Sequence, residues 1–99
     1  MIRHVVLLRW KEPLADADAT AFAADLAALP AAIAALVTYE FGADLAATDG
    51  NFDYGITATF ADIAAFVAYR DHPAHQALIA THIAPRVVQR CAVQFELAG

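Results

Sequence analysis

The stretch "FDYGITATF", Phe52 to Phe60, sets Phe52, Tyr54, Ile56, Ala58 and Phe60 on one face and Asp53, Gly55, Thr57 and Thr59 on the other. Strict alternation of this kind marks a half-buried β-strand, one face on a core and the other turned away from it. The residues before it, "ATDGN", supply a turn. Upstream of that turn, "LVTYEFGADL" alternates Val37, Tyr39 and Phe41 against Thr38 and Glu40, a second strand in which Gly42 is expected to mark a bulge or bend.

Reading outward from this pair gives the rest of the chain. A helix over about Ala61 to Arg70 carries Ile63, Phe66, Val67 and Tyr69, "DHP" breaks it, and a further helix runs through Gln76, Leu78 and Ile79 towards Pro85. The last strand is "CAVQFEL". At the other end, Ile2 to Trp10 carries Ile2, His4, Val6, Leu8 and Trp10 on one face, with Val5 and Leu7 between Arg3 and Arg9 on the other. Both faces are apolar at the middle, as expected of a strand covered by helices on one side and by a second sheet on the other. After the turn-like "KEPLADAD", Phe22, Leu26 and Leu29 form a helical stripe from about Asp18 to Leu29. Pro30 is expected to interrupt it and open a short second helical piece to about Ala35. The order is βαββαβ, an α+β, ferredoxin-like arrangement with helices on one face of a four-stranded antiparallel sheet, in one domain over residues 1–99.

Composition bounds the partners. Hydrophobic residues are 61% of the 99, more than so small a globule easily hides, so pairing of the open sheet faces of two copies is the expected remedy. That packing would close a dimeric α/β barrel. A membrane is the other remedy, but the longest uncharged stretch, Leu26 to Tyr39, is interrupted by Pro30 and is shorter than the roughly 20 apolar residues a span needs. The start "MIRHVVLLRW" lacks the form of a signal peptide, which makes a cytoplasmic location the expectation. A net charge of -5 with scattered basic residues disfavours nucleic acid. The single Cys91, read within a strand, is expected to be a buried, inert thiol.

The chemistry-bearing segment is "YRDHPAHQALIATH", Tyr69 to His82, with three of the four histidines. Pro73 favours a helix's first turn, which puts His75 near a positive helix end and disfavours its imidazolium. A neutral imidazole accepts a proton from carbon beside a carbonyl, and a phenol such as Tyr69 holds the carbonyl oxygen or relays the proton. His4, on the helix-facing side of the first strand by parity, would donate to a developing oxyanion. The alternative is structural: His75 caps backbone groups, Tyr69 is a half-buried helix residue and His4 a hydrogen-bonded core histidine. A metal set of His72, His75 and His82 is disfavoured, since Pro73 biases His72 away from helical angles and no cysteine or carboxylate stands at a ligand spacing; His82 is expected to be solvated. Trp10 reads as a core or dimer-edge aromatic, and Asn51 as a turn former. No glycine-rich phosphate loop or nucleophile elbow appears.

Four segments, "RHVVLLRWK", "GNFDYGITATF", "AYRDHPAHQ" and "VQFEL", resemble the stress-responsive A/B barrel family, Dabb, in the family's order along almost the whole chain. The resemblance implies a ferredoxin-like homodimer. A plant branch of the olivetolic acid cyclase type performs cofactor-free aldol cyclisation of a linear polyketide. Its proton-transferring tyrosine and histidine fall here on Tyr69 and His75, its first-strand cavity histidine on His4, and two cavity-lining positions on Phe22 and Ile56. Leu26 stands where that branch has a tyrosine, and the stretch after His75 is slightly longer. The expected cavity is therefore bounded by Val6, Leu8, Phe22, Leu26 and Ile56, with His75, Tyr69 and His4 as its reactive groups and no cofactor. Its ligand would be a small apolar carbonyl compound, open to aldol cyclisation or isomerisation; the rival is a non-enzymatic stress or assembly protein whose histidines are structural.

Overall fold

Alternation carries Ile2–Trp10 into β1, whose Ile2, His4, Val6, Leu8 and Trp10 are all buried on one face. The computed structural model describes residues 1–98. Strand β1 pairs antiparallel with β3, Tyr54–Phe60, and with β4, Val87–Glu96; β2, Thr38–Ala43, pairs antiparallel with the other side of β3. The sheet order β2-β3-β1-β4, with the helices following β1 and β3, is the ferredoxin-like α+β fold.

Register fixes which side chains meet under the helices. One row across the sheet reads Tyr39, Ala58, His4, Gln94; the next reads Phe41, Ile56, Val6, Ala92; the third reads Ala43, Tyr54, Leu8, Arg90. The strand pairing through Gly42 is continuous with Gly55, so the expected bulge there is absent; the irregularity lies between Arg9 and Trp10 on the β4 side. Phe52 also leaves the expected face. It precedes β3, where no ladder fixes its parity, and Arg9 stacks over its ring at 4.3 Å.

Helix α1, Asp16–Ala32, runs straight through Pro30 instead of restarting there. Proline removes one N–H and crowds the carbonyl four residues back, a cost that falls here in the last turn, among alanines that favour helix on both sides. Its apolar stripe buries Phe22, Leu26 and Leu29, and Ile33 continues the stripe just past the end. Helix α2, Ile63–Asp71, starts where the Asp62 side chain accepts from the Ala65 N–H at 2.8 Å. His72 then turns extended, as a residue before proline must, and Pro73 opens α3, Pro73–Leu78. A π-helical turn, Ile79–Ile83, follows and closes with the Ala84 N–H on the Ile79 carbonyl at 2.8 Å. Among the described residues no helix is long and apolar enough to cross a membrane.

The fully buried Leu8, Phe22, Leu26, Ile33 and Phe60 form the centre of the core between sheet and helices. The opposite sheet face is uncovered: Leu7, Val93 and Phe95 are 39%, 53% and 45% exposed. Cys91, paired with Leu7 on that face, is exposed rather than buried, because β4 is an edge strand and nothing in the protomer covers its outer side. Trp10 is a core aromatic, edge-on to Phe22 at 5.8 Å, and Asn51 ties the turn by donating to Asp44 at 3.0 Å.

Candidate active site

A cavity of about 120 Å³ lies between the helix-facing side of the sheet and the α2–α3 segment. The sheet supplies His4, Val6 and Leu8 from β1, Ile56 from β3 and Tyr39 from β2. Helix α2 supplies Phe66, Tyr69 and Arg70; α3 and the π-turn supply His75, Leu78, Ile79 and Ile83; Arg90 reaches it from β4. Ala58, the smallest side chain in the row between Tyr39 and His4, leaves room between them.

His75 and Tyr69 meet: their ring centroids are 4.1 Å apart at 36°. His75 Nδ1 lies 3.0 Å from the Arg70 carbonyl oxygen, which can only accept, so neutral His75 carries its proton on Nδ1 and keeps a lone pair on Nε2. One ring nitrogen thus satisfies a carbonyl at the end of α2 while the other stays basic. Burial holds the His75 pKa below the ordinary imidazole value; the Arg70 carbonyl pulls the other way, and the charges of Arg90 and His72 add to the lowering. The main cause is desolvation rather than the short helix.

His4 has the opposite tautomer. The Gln94 amide donates to His4 Nδ1 at 2.8 Å, which leaves the ring proton on Nε2. His4 is 3% exposed, packs on Phe66 with centroids at 4.9 Å, and has its pKa lowered to about 4, by burial first and then by Arg90 and His75. The Tyr69 hydroxyl sits 3.2 Å from that of Tyr39. Burial raises both phenols above their usual value, so both hydroxyls stay protonated and one hydrogen of the pair remains to donate elsewhere. The site therefore joins a lone-pair nitrogen, an N–H donor and a phenol pair in an apolar pocket.

Of the residues expected at the cavity, the structure brings together His4, Val6, Leu8, Ile56, Tyr69 and His75. Phe22 and Leu26 lie elsewhere, in the fully buried core under α1, with Phe22 against Trp10, Tyr54 and His82. Tyr39 and Arg90 were missed, although Tyr39 shared the alternating face already read in β2. His82 is buried, not solvated: its Nε2 lies 2.6 Å from Oδ2 of Asp25 on α1. His72 accepts from the Ala74 N–H at 3.0 Å as the cap of α3. The three histidines of the segment thus serve three different partners, and among the described residues no His, Cys, Asp and Glu gather as a metal set.

A four-stranded antiparallel sheet with helices on one face, a cavity beneath them and an apolar face left open defines a ferredoxin-like barrel protein. The chain belongs to the Dabb family: the model of the stress responsive A/B barrel domain matches residues 2–97. Among solved structures it is similar to a dimeric ferredoxin-like protein of unknown function from Thermobifida fusca, with 43% identity, TM-score 0.88, and coverage of 97% of this chain and 90% of that one. It is also similar to a Dabb family protein with a ferredoxin-like fold from Mesorhizobium loti, at 26% identity and TM-score 0.80 over 99% and 97% of the two chains. A hydroxynitrile lyase from Passiflora edulis shares the fold at 20% identity, TM-score 0.83, over 98% of this chain and 93% of that one. No curated protein matches the chain.

Proposed function

We propose that two copies of the chain pair through their open sheet faces and that each cavity carries out cofactor-independent proton transfer on a small carbonyl compound. The observation that carries the chemistry is the tautomer fixed at His75: with Nδ1 committed to the Arg70 carbonyl, Nε2 is a base in a pocket shared with Tyr69. A C–H bond beside the carbonyl breaks, its proton goes to Nε2, and the electron pair moves onto the carbonyl oxygen. There the His4 Nε2–H and the free hydrogen of the Tyr39 and Tyr69 pair supply donors. The enolate so formed closes an aldol or returns as an isomer.

Size narrows the substrate. An apolar cavity of roughly 150 Å³ holds one benzene, so this pocket of about 120 Å³ suits a short ketone, and a long polyketide would have to lie mostly outside it. Support for the dimer comes from the exposed Leu7, Val93 and Phe95, and from the dimeric description of the Thermobifida fusca neighbour.

The test is deuterium uptake at carbon next to the carbonyl of a small neutral ketone, followed by proton NMR in heavy water. His75→Asn keeps a donor near the position of Nδ1 and removes the base, so it should fold and pair normally while exchange falls by roughly a hundredfold to ten-thousandfold. Equal rates in wild type, His75→Asn and His75→Ala would assign the histidine a purely structural role. Under that rival, His75→Ala lowers thermal stability and changes nothing else.

A further inference from the structure

The cavity wall contains one charge without a countercharge. Arg90 pairs in register with Leu8, so its side chain lies on the cavity side of β4, and it is exposed at the cavity's rim. Among the described residues it has no hydrogen bond or ion pair. The other arginine at the cavity, Arg70, is already neutralised by Asp71 through two contacts, Nε to Oδ1 at 2.8 Å and Nη2 to Oδ2 at 3.1 Å. No carboxylate lines the pocket. A guanidinium at the edge of an apolar hollow matches a carboxylate in charge and in its forked geometry. Ala92, the next inward residue of β4 on this face, is small and leaves the approach from Arg90 towards Val6 and the histidines open.

We propose that the cavity selects a short carbonyl compound that carries a carboxylate, with Arg90 holding the carboxylate at the rim and the carbonyl placed among His4, Tyr69 and His75. This rests on the carbonyl reading of the same cavity. The arrangement makes Arg90 a specificity-determining residue: it leaves the reacting carbon to the histidines and sets which carbonyl compounds reach it. In the empty cavity its field adds to burial in opposing protonation of His4 and His75.

The experiment titrates the full-length protein with 4-oxopentanoate and with its methyl ester, by calorimetry and thermal shift, in wild type, Arg90→Gln and Arg90→Lys. Wild type should bind the acid roughly tenfold to a hundredfold more tightly than the ester. Arg90→Gln should erase that preference with ester affinity unchanged, and Arg90→Lys should restore part of it. Equal affinities in wild type, a preference that survives Arg90→Gln, or no binding of either probe would overturn the proposal. Deuterium exchange on the neutral ester separates it from its parent: His75-dependent exchange without acid preference removes Arg90's role alone. Arg90-dependent acid binding without exchange leaves the carboxylate site and removes the proton-transfer reading.

Discussion

Burial, with Arg90 and His75 behind it, holds His4 at a pKa of about 4, whereas an exposed imidazole titrates near 6.5. Between those values the unfolded chain binds more protons than the native one, so stability rises with pH. The His4 contribution is complete above about 6.5 and is lost as pH falls through about 4, on the order of 3 kcal/mol in all. Urea unfolding over that range should show the slope, and His4→Gln should flatten it. His75 is lowered in the same direction, so exchange activity should hold level through neutral pH and fall only in acid, below the ordinary histidine range. Tyr39→Phe strips the Tyr69 hydroxyl of its partner and should cost about 1 kcal/mol, measured by denaturant unfolding, with a matching loss of exchange rate. At this scale parity put His4 on the helix-facing side of β1, and the family resemblance grouped it with Tyr69 and His75. Tautomers escaped both, because they depend on a carbonyl five residues away and on an amide from the other end of the chain. Arg90 escaped because the strand read as "CAVQFEL" starts one residue after it, whereas β4 begins at Val87 and sets Arg90 opposite Leu8.

Segments with a hard start or stop were readable. The "DHP" stop falls between α2 and α3, where it is read, whereas the start, read at about Ala61, lies two residues later at Ile63 because the Asp62 side chain caps α2 through a bond to the Ala65 N–H. Asp62→Ala should lower stability by about 1 kcal/mol in thermal or chemical unfolding. Because the end of α2 presents the Arg70 carbonyl to His75, the same change should also weaken ligand binding in a thermal-shift titration. Pro30 misled for a physical reason: its ring disfavours helix interiors by leaving the Leu26 carbonyl without its helical donor, but α1 ends only two residues later at Ala32 and the alanines on both sides favour helix, so the chain continues instead of restarting. The π-turn carried no sequence signal: apart from Ala80, Ile79–Ile83 holds only middling helix formers, which single out neither period, and what the structure adds is that Ile79 and Ile83 both line the cavity.

For the whole molecule, composition spoke clearly. A chain 61% hydrophobic cannot cover its own sheet with the helices on one side alone, and Leu7, Val93 and Phe95 remain in the open. Under the proposed pairing, the melting temperature of wild type should rise with protein concentration. Leu7→Lys should abolish that dependence, lower the melting temperature, and shift sedimentation to the single protomer. A Leu7→Lys protein that still sediments as a pair would place the contact elsewhere.

The sheet separates the two faces of each protomer: apolar side chains of β1 and β4 on one side, the hollow under α2 and α3 on the other. Back-to-back assembly would therefore send the two entrances to opposite exteriors, with two thicknesses of sheet between them. Filling one chamber would neither block nor reshape the route into its counterpart, so saturation should follow a simple hyperbola with one equivalent per polypeptide.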